Sequence, residues 1–181
     1  MVSSIDMSVI PLLAILVQTL TGGTVDALKA PAGTRAIVYL FTSTDCPISN
    51  RYAPEIHRIE QAFGHKGVLF RLVYPSRYES DAAIRDHLRS FDFGAVQAVR
   101  DSELSLVKFV GATITPEAAV VVDGRVVYRG RIDDRYVDLA VERPAPTTHD
   151  LADALAAVLA GQSVPRPVTQ AVGCYISDLT R

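Results

Sequence analysis

AIVYLFTSTDCPIS, residues 36–49, joins an apolar run to a helix-forming stretch through a cysteine. The run 36–41 is continuously apolar, β-branched or aromatic, which is typical of a central strand covered on both faces. The polar residues 42–45 then separate it from Cys46. At the start of a helix, unpaired backbone N–H groups and the helix dipole favour an anion such as a thiolate. The position therefore predicts a reactive Cys46 with a lowered pKa, outside the apolar run, rather than a thiol that only fills the core.

Strands and helices alternate outward from this junction. Apolar spacing and the Gly and Pro positions predict the boundaries, and Asp123-Gly124 predicts a tight β-hairpin turn. We expect strands at 36–41, 68–74, 96–99, 118–122 and 125–128, and helices at 50–63 with a kink at Pro54, 80–91, 102–111 and 150–159, the last capped by Thr147 or Thr148. This order predicts an α/β fold in which a central mixed sheet is flanked by helices on both faces and has an antiparallel hairpin at one edge.

Composition and charge exclude several classes of protein. The chain has 181 residues, 49% of them hydrophobic, and a formal net charge of −2 without a run of like charges. Nucleic-acid binding has no electrostatic support. The two cysteines, Cys46 and Cys174, are too far apart in sequence for the clustered patterns of zinc ribbons or haem attachment. They are a redox pair or two unrelated thiols, and we predict neither a cofactor nor a metal site.

The amino terminus allows two interpretations. Residues 7–20, MSVIPLLAILVQTL, are apolar enough for an export signal, but no Lys or Arg precedes them, and Pro11 interrupts a stretch too short for a membrane span. Residues 1–20 are therefore an atypical signal or an element that packs on the domain formed by residues 21–181. A periplasmic or secreted location and a cytoplasmic one remain equally open, as does membrane association.

The 36–41 strand is followed along the chain by Cys46-Pro47-Ile48-Ser49, residues 51–55, Thr115-Pro116, the Asp123-Gly124 hairpin and residues 128–134. Through these segments the chain resembles the thioredoxin-like redoxins from about residue 20 to residue 175. More closely, it resembles the peroxiredoxin-like branch of the alkyl hydroperoxide reductase and thiol-specific antioxidant group. The resemblance implies a thioredoxin-like fold, a nucleophilic cysteine at the first helix, a cis proline opposite it, and antioxidant redox turnover of that cysteine.

The resemblance also implies roles for individual residues. Cys46 attacks a peroxide or a protein disulfide, Cys174 resolves the product, and an external thiol reductant restores both. Since the tail of the chain is long enough to fold back or to reach a second copy, Cys174 acts within one chain or across a homodimer. Charge at Cys46 is stabilised by Ser43, Thr44 and Arg51, and the substrate is positioned by Pro47, Ile48, Ser49, Thr115 and Pro116.

The chain departs from the family patterns at several positions. Ser49 stands where a Cys-x-x-Cys motif has its second cysteine, and Tyr39 replaces the proline of the peroxiredoxin motif. Glu117 lies near the place of the catalytic arginine of peroxiredoxins, for which Arg51 or Arg131 are the substitutes.

An alternative function uses the same scaffold to bind or deliver a soft ion such as Cu(I), held by Cys46 and Cys174 with His149. The four histidines show no metal-ligand spacing and are expected at solvated surface positions.

Overall fold

The computed structural model describes residues 14–176 and residue 179. Its elements alternate largely as the sequence predicts. The strands are β1 (Leu16–Thr19), β2 (Thr24–Asp26), β3 (Ala36–Phe41), β4 (Val68–Tyr74), β5 (Gln97–Arg100), β6 (Ile114–Thr115), β7 (Glu117–Val122), β8 (Arg125–Gly130), β9 (Tyr136–Asp138), β10 (Val141–Glu142) and β11 (Cys174–Tyr175). The helices are α1 (Pro47–Arg51), α2 (Ala53–Phe63), α3 (Asp81–Ser90), α4 (Ser105–Val110) and α5 (Asp150–Leu159).

The main sheet has seven strands in the order β2-β1-β5-β4-β3-β7-β8. Strand β3 lies between β4, with which it pairs in parallel, and β7, with which it pairs antiparallel. All six residues of β3 are buried, as its continuous apolar sequence predicts. The mixed sheet with an antiparallel β7–β8 edge is confirmed, and it places Cys46 at the carboxyl end of a central strand.

Both faces of this sheet are covered. Alternate residues of β3 enter two separate apolar clusters, because successive side chains of a strand point to opposite faces. Val38 and Leu40 lie with residues of α2, α3 and α5, whereas Tyr39 and Phe41 lie with residues of α4 and β1. The helices on both faces are thus confirmed, and each cluster holds the base of the Cys46 loop from one side.

Some predicted boundaries are wrong. The helix expected at 102–111 begins only at Ser105, after Leu104 adopts a left-handed conformation. The last helix has His149 at its N-cap instead of Thr147 or Thr148, because both threonines donate hydrogen bonds to the buried Asp134. The expected kink at Pro54 is a break at Tyr52 that separates α1 from α2.

Two small two-stranded sheets have no counterpart in the sequence prediction. One is the β9–β10 hairpin, residues 136–142, and the other pairs β11 with β6. The strands in both sheets are only two or three residues long, and so short a segment shows no clear alternation of apolar and polar residues in the sequence. The second sheet is the one that brings the carboxyl-terminal tail to the Cys46 region.

At the amino terminus, residues 1–13 of the apolar segment lie outside the described residues, so the two interpretations of that segment remain predictions. The part from Leu16 to Thr19 is strand β1, which pairs antiparallel with both β2 and β5. Within the described part of the chain, no helix has the length and apolar character that crossing a bilayer requires.

Candidate active site

Cys46 occupies the N-cap of α1, immediately beyond the loop that leaves β3. Its side chain faces the Thr115–Pro116 peptide bond, which is cis as the resemblance implies. The Sγ atom of Cys46 lies 3.1 Å from the Thr115 carbonyl oxygen. The expectation that Cys46 lies outside the apolar core is wrong, since only 1% of the residue is exposed. The polar loop before Cys46 does not prevent burial because another part of the chain covers the sulfur.

That cover is the tail, residues 162–176. Its strand β11 pairs antiparallel with β6, with Cys174 opposite Thr115. The preceding Gly173 is required there, because a Cβ atom would lie 2.1 Å from the Thr115 carbonyl oxygen. This close approach brings the Cys174 sulfur to 2.8 Å from the Cys46 sulfur, with both thiols free. Two cysteines 128 residues apart in sequence thus meet in one site within a single chain.

The two thiols have pKa values displaced in opposite directions. For Cys46, burial alone raises the pKa, but hydrogen bonds from Cys174, from the hydroxyl and backbone N–H of Ser49, and from Thr115 outweigh it and lower the pKa below its ordinary value. For Cys174, burial, the hydrogen bond to Cys46 and the charges of Cys46 and Asp45 raise the pKa to about 12. Of the two thiols, Cys46 is therefore the one that loses its proton first, and its thiolate accepts a hydrogen bond from the Cys174 thiol.

Ser49 has a larger role than its predicted one in substrate positioning. Its side chain is buried, and its hydroxyl has no other hydrogen-bond partner among the residues that the structure describes. An unpartnered buried hydroxyl is costly unless it interacts with a neighbouring polar atom. The Cys46 thiolate supplies that partner, since Ser49 is among the groups that lower its pKa.

The predicted charge-stabilising residues are placed differently. The Ser43 hydroxyl donates to Asp45 and lies 3.3 Å from Glu79 Oε1, and the Thr44 N–H donates to the same Glu79 oxygen at 2.6 Å. Arg51 forms an exposed ion pair with Glu142 of the hairpin at 3.3 Å. These contacts shape the loop and α1, but the direct contact with the Cys46 sulfur that the predicted roles need is made by Ser49, Cys174 and Thr115 instead.

The other predicted substrate-positioning residues surround the sulfur pair. Pro47 and Ile48 line a groove of about 270 Å³ between α1 and the tip of the hairpin. Thr115 faces Cys174, with its hydroxyl 3.5 Å from the Cys174 carbonyl oxygen. Pro116 completes the cis bond opposite Cys46. The structure therefore brings all five predicted positioning residues into one neighbourhood, and their role in binding a substrate stays a prediction.

A second groove, of about 740 Å³, adjoins the other side of the site, and sequence reasoning missed it. It lies between the hairpin and the tail and includes Gly173, Glu117 and Arg129 in its lining. Glu117 is buried, its Oε2 accepts the Thr113 N–H at 2.9 Å, and its Oε1 lies 3.4 Å from Arg129. Burial raises the pKa of Glu117 despite these partners. Glu117 thus holds the chain that leads into β6 and does not act on the sulfurs.

His149 does not join the cysteines. It lies with Glu55 and Asp133, with ligand atoms within 4.8 Å of one another. Both carboxylates already have partners, since Glu55 accepts hydrogen bonds from Arg58 and Asp133 accepts one from Tyr52 at 2.5 Å. This group therefore gives no support to a metal centre.

One of the four histidines contradicts the prediction of solvated positions. His87 is 5% exposed and is hydrogen-bonded to two side chains, those of Tyr74 and Asn50. The helical spacing of the apolar residues in this segment predicted which of them are buried. A single histidine among them gives no such pattern, so its burial was not predicted.

Comparison with known proteins identifies the fold. No family model matches the chain, and neither does any curated protein. Among solved structures, an uncharacterised conserved protein from Geobacillus kaustophilus has 23% identity and a TM-score of 0.77, covering 91% of this chain and 88% of its own. A hypothetical protein from Sinorhizobium meliloti has 20% identity and a TM-score of 0.74, with 91% of each chain covered.

A third structure, a secreted disulfide oxidoreductase of Mycobacterium tuberculosis, has 16% identity and a TM-score of 0.53 over 83% of this chain and 97% of its own. The chain has a thioredoxin-like fold. At these identities the likeness establishes the fold alone, and the chemistry depends on the site.

Proposed function

We propose that this protein is a thiol–disulfide oxidoreductase in which Cys46 is the attacking thiolate and Cys174 the resolving thiol. The observation that carries the proposal is the sulfur pair itself, 2.8 Å apart, with the pKa of Cys46 lowered and that of Cys174 raised. Two unrelated thiols that only fill space in the core would not need to be in contact, and their pKa values would not need to shift in opposite directions. The disulfide oxidoreductase activity of the M. tuberculosis protein with the same fold supports the proposal.

In the first step, the Cys46 thiolate attacks one sulfur of a substrate disulfide. A bond forms between Cys46 and that sulfur, the substrate S–S bond breaks, and the second substrate sulfur leaves as a thiolate. Ser49 stabilises the attacking charge through its hydroxyl and N–H before the bond forms. The substrate half that remains bound forms a mixed disulfide with Cys46.

In the second step, Cys174 resolves the mixed disulfide. Two of the causes that raise the Cys174 pKa are the hydrogen bond to Cys46 and the charge on Cys46. Both disappear once Cys46 is bonded to the substrate, so Cys174 loses its proton to solvent more readily at the stage when it has to attack. The Cys174 thiolate then bonds to Cys46 Sγ and releases the remaining substrate half as a thiolate. The substrate is reduced to two thiols, and the protein is oxidised to the Cys46–Cys174 disulfide.

An external thiol reductant completes the cycle through two further exchanges. Cys46 is buried, whereas Cys174 is half-buried, and its chain neighbours Gly173 and Tyr175 line the larger groove. The incoming thiolate therefore attacks Cys174 Sγ and displaces Cys46, whose lower pKa makes it the better leaving group. A second thiol of the reductant then releases Cys174.

Reduction of a peroxide remains a prediction. The positions of the arginines do not favour it, because a peroxide needs a positive charge beside the sulfur. Arg51 pairs with Glu142, Arg131 with Asp150 at 2.8 Å, and Arg129 with Glu117. Each positive charge thus has a carboxylate partner instead of a free position beside the sulfur. A disulfide needs no such cation, since its leaving group is itself a stabilised thiolate.

Binding or delivery of Cu(I) is the alternative function, and it would make the protein a metal-binding module instead of an enzyme. With metal–sulfur bonds of about 2.3 Å, two sulfurs on one tetrahedral ion stand almost 4 Å apart. The observed separation of 2.8 Å is shorter, and His149 lies with Glu55 and Asp133 instead. Titration of the reduced protein with Cu(I) tests this alternative: stoichiometric binding supports it.

Trapping the mixed disulfide tests the proposed function. Reduced protein is mixed with glutathione disulfide and quenched with acid, and its peptides are identified by mass spectrometry. We expect a Cys46–Cys174 disulfide in the wild type and a stable glutathione adduct on Cys46 in Cys174→Ser. The Cys46→Ser variant should form neither product at a comparable rate. An adduct found mainly on Cys174 in the wild type, with Cys46 unmodified, contradicts the proposal.

A further inference from the structure

Ser49 lies in α1, so the orientation of this helix determines how well Ser49 can donate a hydrogen bond to the Cys46 sulfur. This helix has five residues and no side-chain cap at its N-terminus. So short a helix has little intrinsic stability, and its orientation depends on contacts with the rest of the molecule. Ile48 packs in the apolar core. The polar side-chain contacts with other elements are made by the last two residues of α1 and by its C-cap: Asn50 contacts His87, Arg51 contacts Glu142, and Tyr52 contacts Asp133.

These three contacts differ in strength. The Arg51–Glu142 pair is exposed, with 64% and 47% of the two side chains accessible, and exposed ion pairs contribute little. The Tyr52–Asp133 hydrogen bond is buried, but it lies beyond the last residue of α1. Among these three polar contacts, the one made from within the helix to a buried partner is therefore that of Asn50.

Asn50 is one end of a chain of hydrogen bonds between side chains. His87 Nε2 lies 2.7 Å from Asn50 Oδ1, and His87 Nδ1 lies 2.8 Å from the Tyr74 hydroxyl. With the Asn50 oxygen as acceptor, His87 is the neutral tautomer that donates from Nε2 and accepts the Tyr74 O–H at Nδ1. Burial lowers the pKa of His87 and so maintains this neutral form.

The imidazole has little freedom to move. The rings of Phe91 and Phe93 lie with their centroids 5.0 and 5.2 Å from that of His87, and Tyr74 is completely buried. Both ring nitrogens have partners, so rotation of the ring would break a buried hydrogen bond to Tyr74 and a partly buried one to Asn50. His87 is therefore a rigid donor fixed in the core of the sheet and α3.

Asn50 also connects this chain to the nucleophile. Its backbone N–H donates to the Cys46 carbonyl oxygen at 3.1 Å, which closes the first turn of α1 over Cys46. We infer that His87 is a positioning residue for Cys46: through Asn50 it fixes the orientation of α1 and directs Ser49 at the sulfur. The inference rests on the proposed function, in which the Cys46 thiolate is the attacking species.

Two isosteric variants of His87 test the inference. The amide nitrogen of His87→Gln reaches about as far as Nε2 and keeps the donor to Asn50, whereas the amide of His87→Asn ends near Nδ1 and leaves Asn50 without one. The Cys46 pKa is measured from the pH dependence of iodoacetamide alkylation, with the Cys46 peptide quantified by mass spectrometry. We expect His87→Gln to keep the wild-type pKa and His87→Asn to raise it by about half a unit to one unit, the effect of one misplaced hydrogen bond.

Controls separate positioning from loss of fold. The exposed His65→Gln should leave the Cys46 pKa unchanged, and circular dichroism spectra identify any variant that is not folded at the assay temperature. Equal Cys46 pKa values in His87→Gln and His87→Asn contradict the positioning role. A wild-type Cys46 pKa at or above the ordinary thiol value contradicts the proposed function instead, so the two failures are distinguishable.

Discussion

Ser49 takes the position in which a second cysteine would complete a Cys-x-x-Cys motif, and its hydroxyl acts on the Cys46 thiolate. A serine cannot resolve a mixed disulfide, but it can donate a hydrogen bond to the neighbouring sulfur. In the proposed mechanism, Ser49 and Cys174 both stabilise the Cys46 thiolate, and resolution is left to Cys174 alone. This arrangement explains how a site without adjacent cysteines keeps a lowered Cys46 pKa.

Replacing Ser49 should raise the Cys46 pKa. We expect Ser49→Ala to raise it by about one unit, because one hydrogen bond to the charged form is lost. Ser43→Ala is the matched control, since the Ser43 hydroxyl faces Asp45 and Glu79. The pH dependence of thiolate absorbance near 240 nm measures both. A larger shift in Ser43→Ala than in Ser49→Ala would restore the predicted role of Ser43 and reject the role assigned to Ser49.

The Cys174 thiol should stabilise the Cys46 thiolate in the same manner, before it resolves anything. Cys174→Ala removes the hydrogen-bond donor and should raise the Cys46 pKa by about one unit, whereas Cys174→Ser keeps a donor and should raise it less. Because one thiol remains in either variant, its titration by absorbance belongs to Cys46 alone. Identical pKa values in the alanine and serine variants would show that hydrogen bonding from position 174 does not matter.

At the scale of elements, strand β11 is both the carrier of Cys174 and the cover over Cys46. The tail is anchored upstream, where the Arg129 N–H donates to Pro167 O at 2.9 Å and the Thr169 N–H donates to Arg129 O at 3.0 Å. Between this anchor and β11, residues 170–173 line the larger groove. Because Cys46 is 1% exposed, we expect β11 to leave β6 before a substrate disulfide reaches the Cys46 sulfur.

Gly173→Ala tests this order of events. Its Cβ would lie 2.1 Å from the Thr115 carbonyl oxygen, so β11 should separate from β6. Such a clash costs about 1 to 3 kcal/mol, and we expect Cys46 alkylation to be about tenfold faster because local opening becomes easier by a similar amount. Formation of the Cys46–Cys174 disulfide should become slower. Stopped-flow alkylation and oxidation measure the two rates.

Gly64→Ala is the matched control for that experiment. Its added Cβ meets only the end of the flexible Glu60 side chain, at 2.9 Å, far along the chain from both cysteines. It should leave the two rates unchanged. Faster alkylation without slower disulfide formation would show that β11 covers Cys46 but does not deliver Cys174.

The elements that the sequence predicts well are those with a local cause. Strand β3 follows from its unbroken apolar run, and the β7–β8 hairpin follows from Asp123-Gly124. The pairing of Cys174 with Thr115 and the contact of Asn50 with His87 join residues 59 and 37 positions apart in sequence. No local pattern encodes such partners, because they meet only after the sheet has formed.

The burial of Cys46 has the same explanation. Its own loop is polar, as the sequence shows, and the residues that cover it arrive from the end of the chain. The place of Cys46 at the start of a helix was therefore predictable from a short motif, and the cis proline from the family resemblance. The burial of the sulfur and its contacts with Ser49 and Cys174 depend on the complete fold.

For the whole molecule, the Cys46–Cys174 disulfide would close a loop of 128 residues. Closing a loop of this length reduces the entropy of the unfolded chain, which predicts that the oxidised protein is more stable than the reduced one by about 2 to 5 kcal/mol. The folded state already holds the sulfurs together, so oxidation need not rearrange the main sheet. For a chain of this size, such a gain corresponds to a rise in Tm of about 5 to 15 °C.

Thermal and urea unfolding of the oxidised and reduced protein measure the difference. The reduced sample contains excess phosphine to keep both thiols free, and the oxidised sample is checked by mass spectrometry for the intramolecular bond. Cys174→Ala under the same two conditions should show one unfolding midpoint, because no loop can close. If the oxidised wild type unfolds at the same or a lower midpoint, then bond formation requires the tail to leave its place on β6. Cys174 would in that case resolve Cys46 from a position different from the one it occupies in the reduced protein.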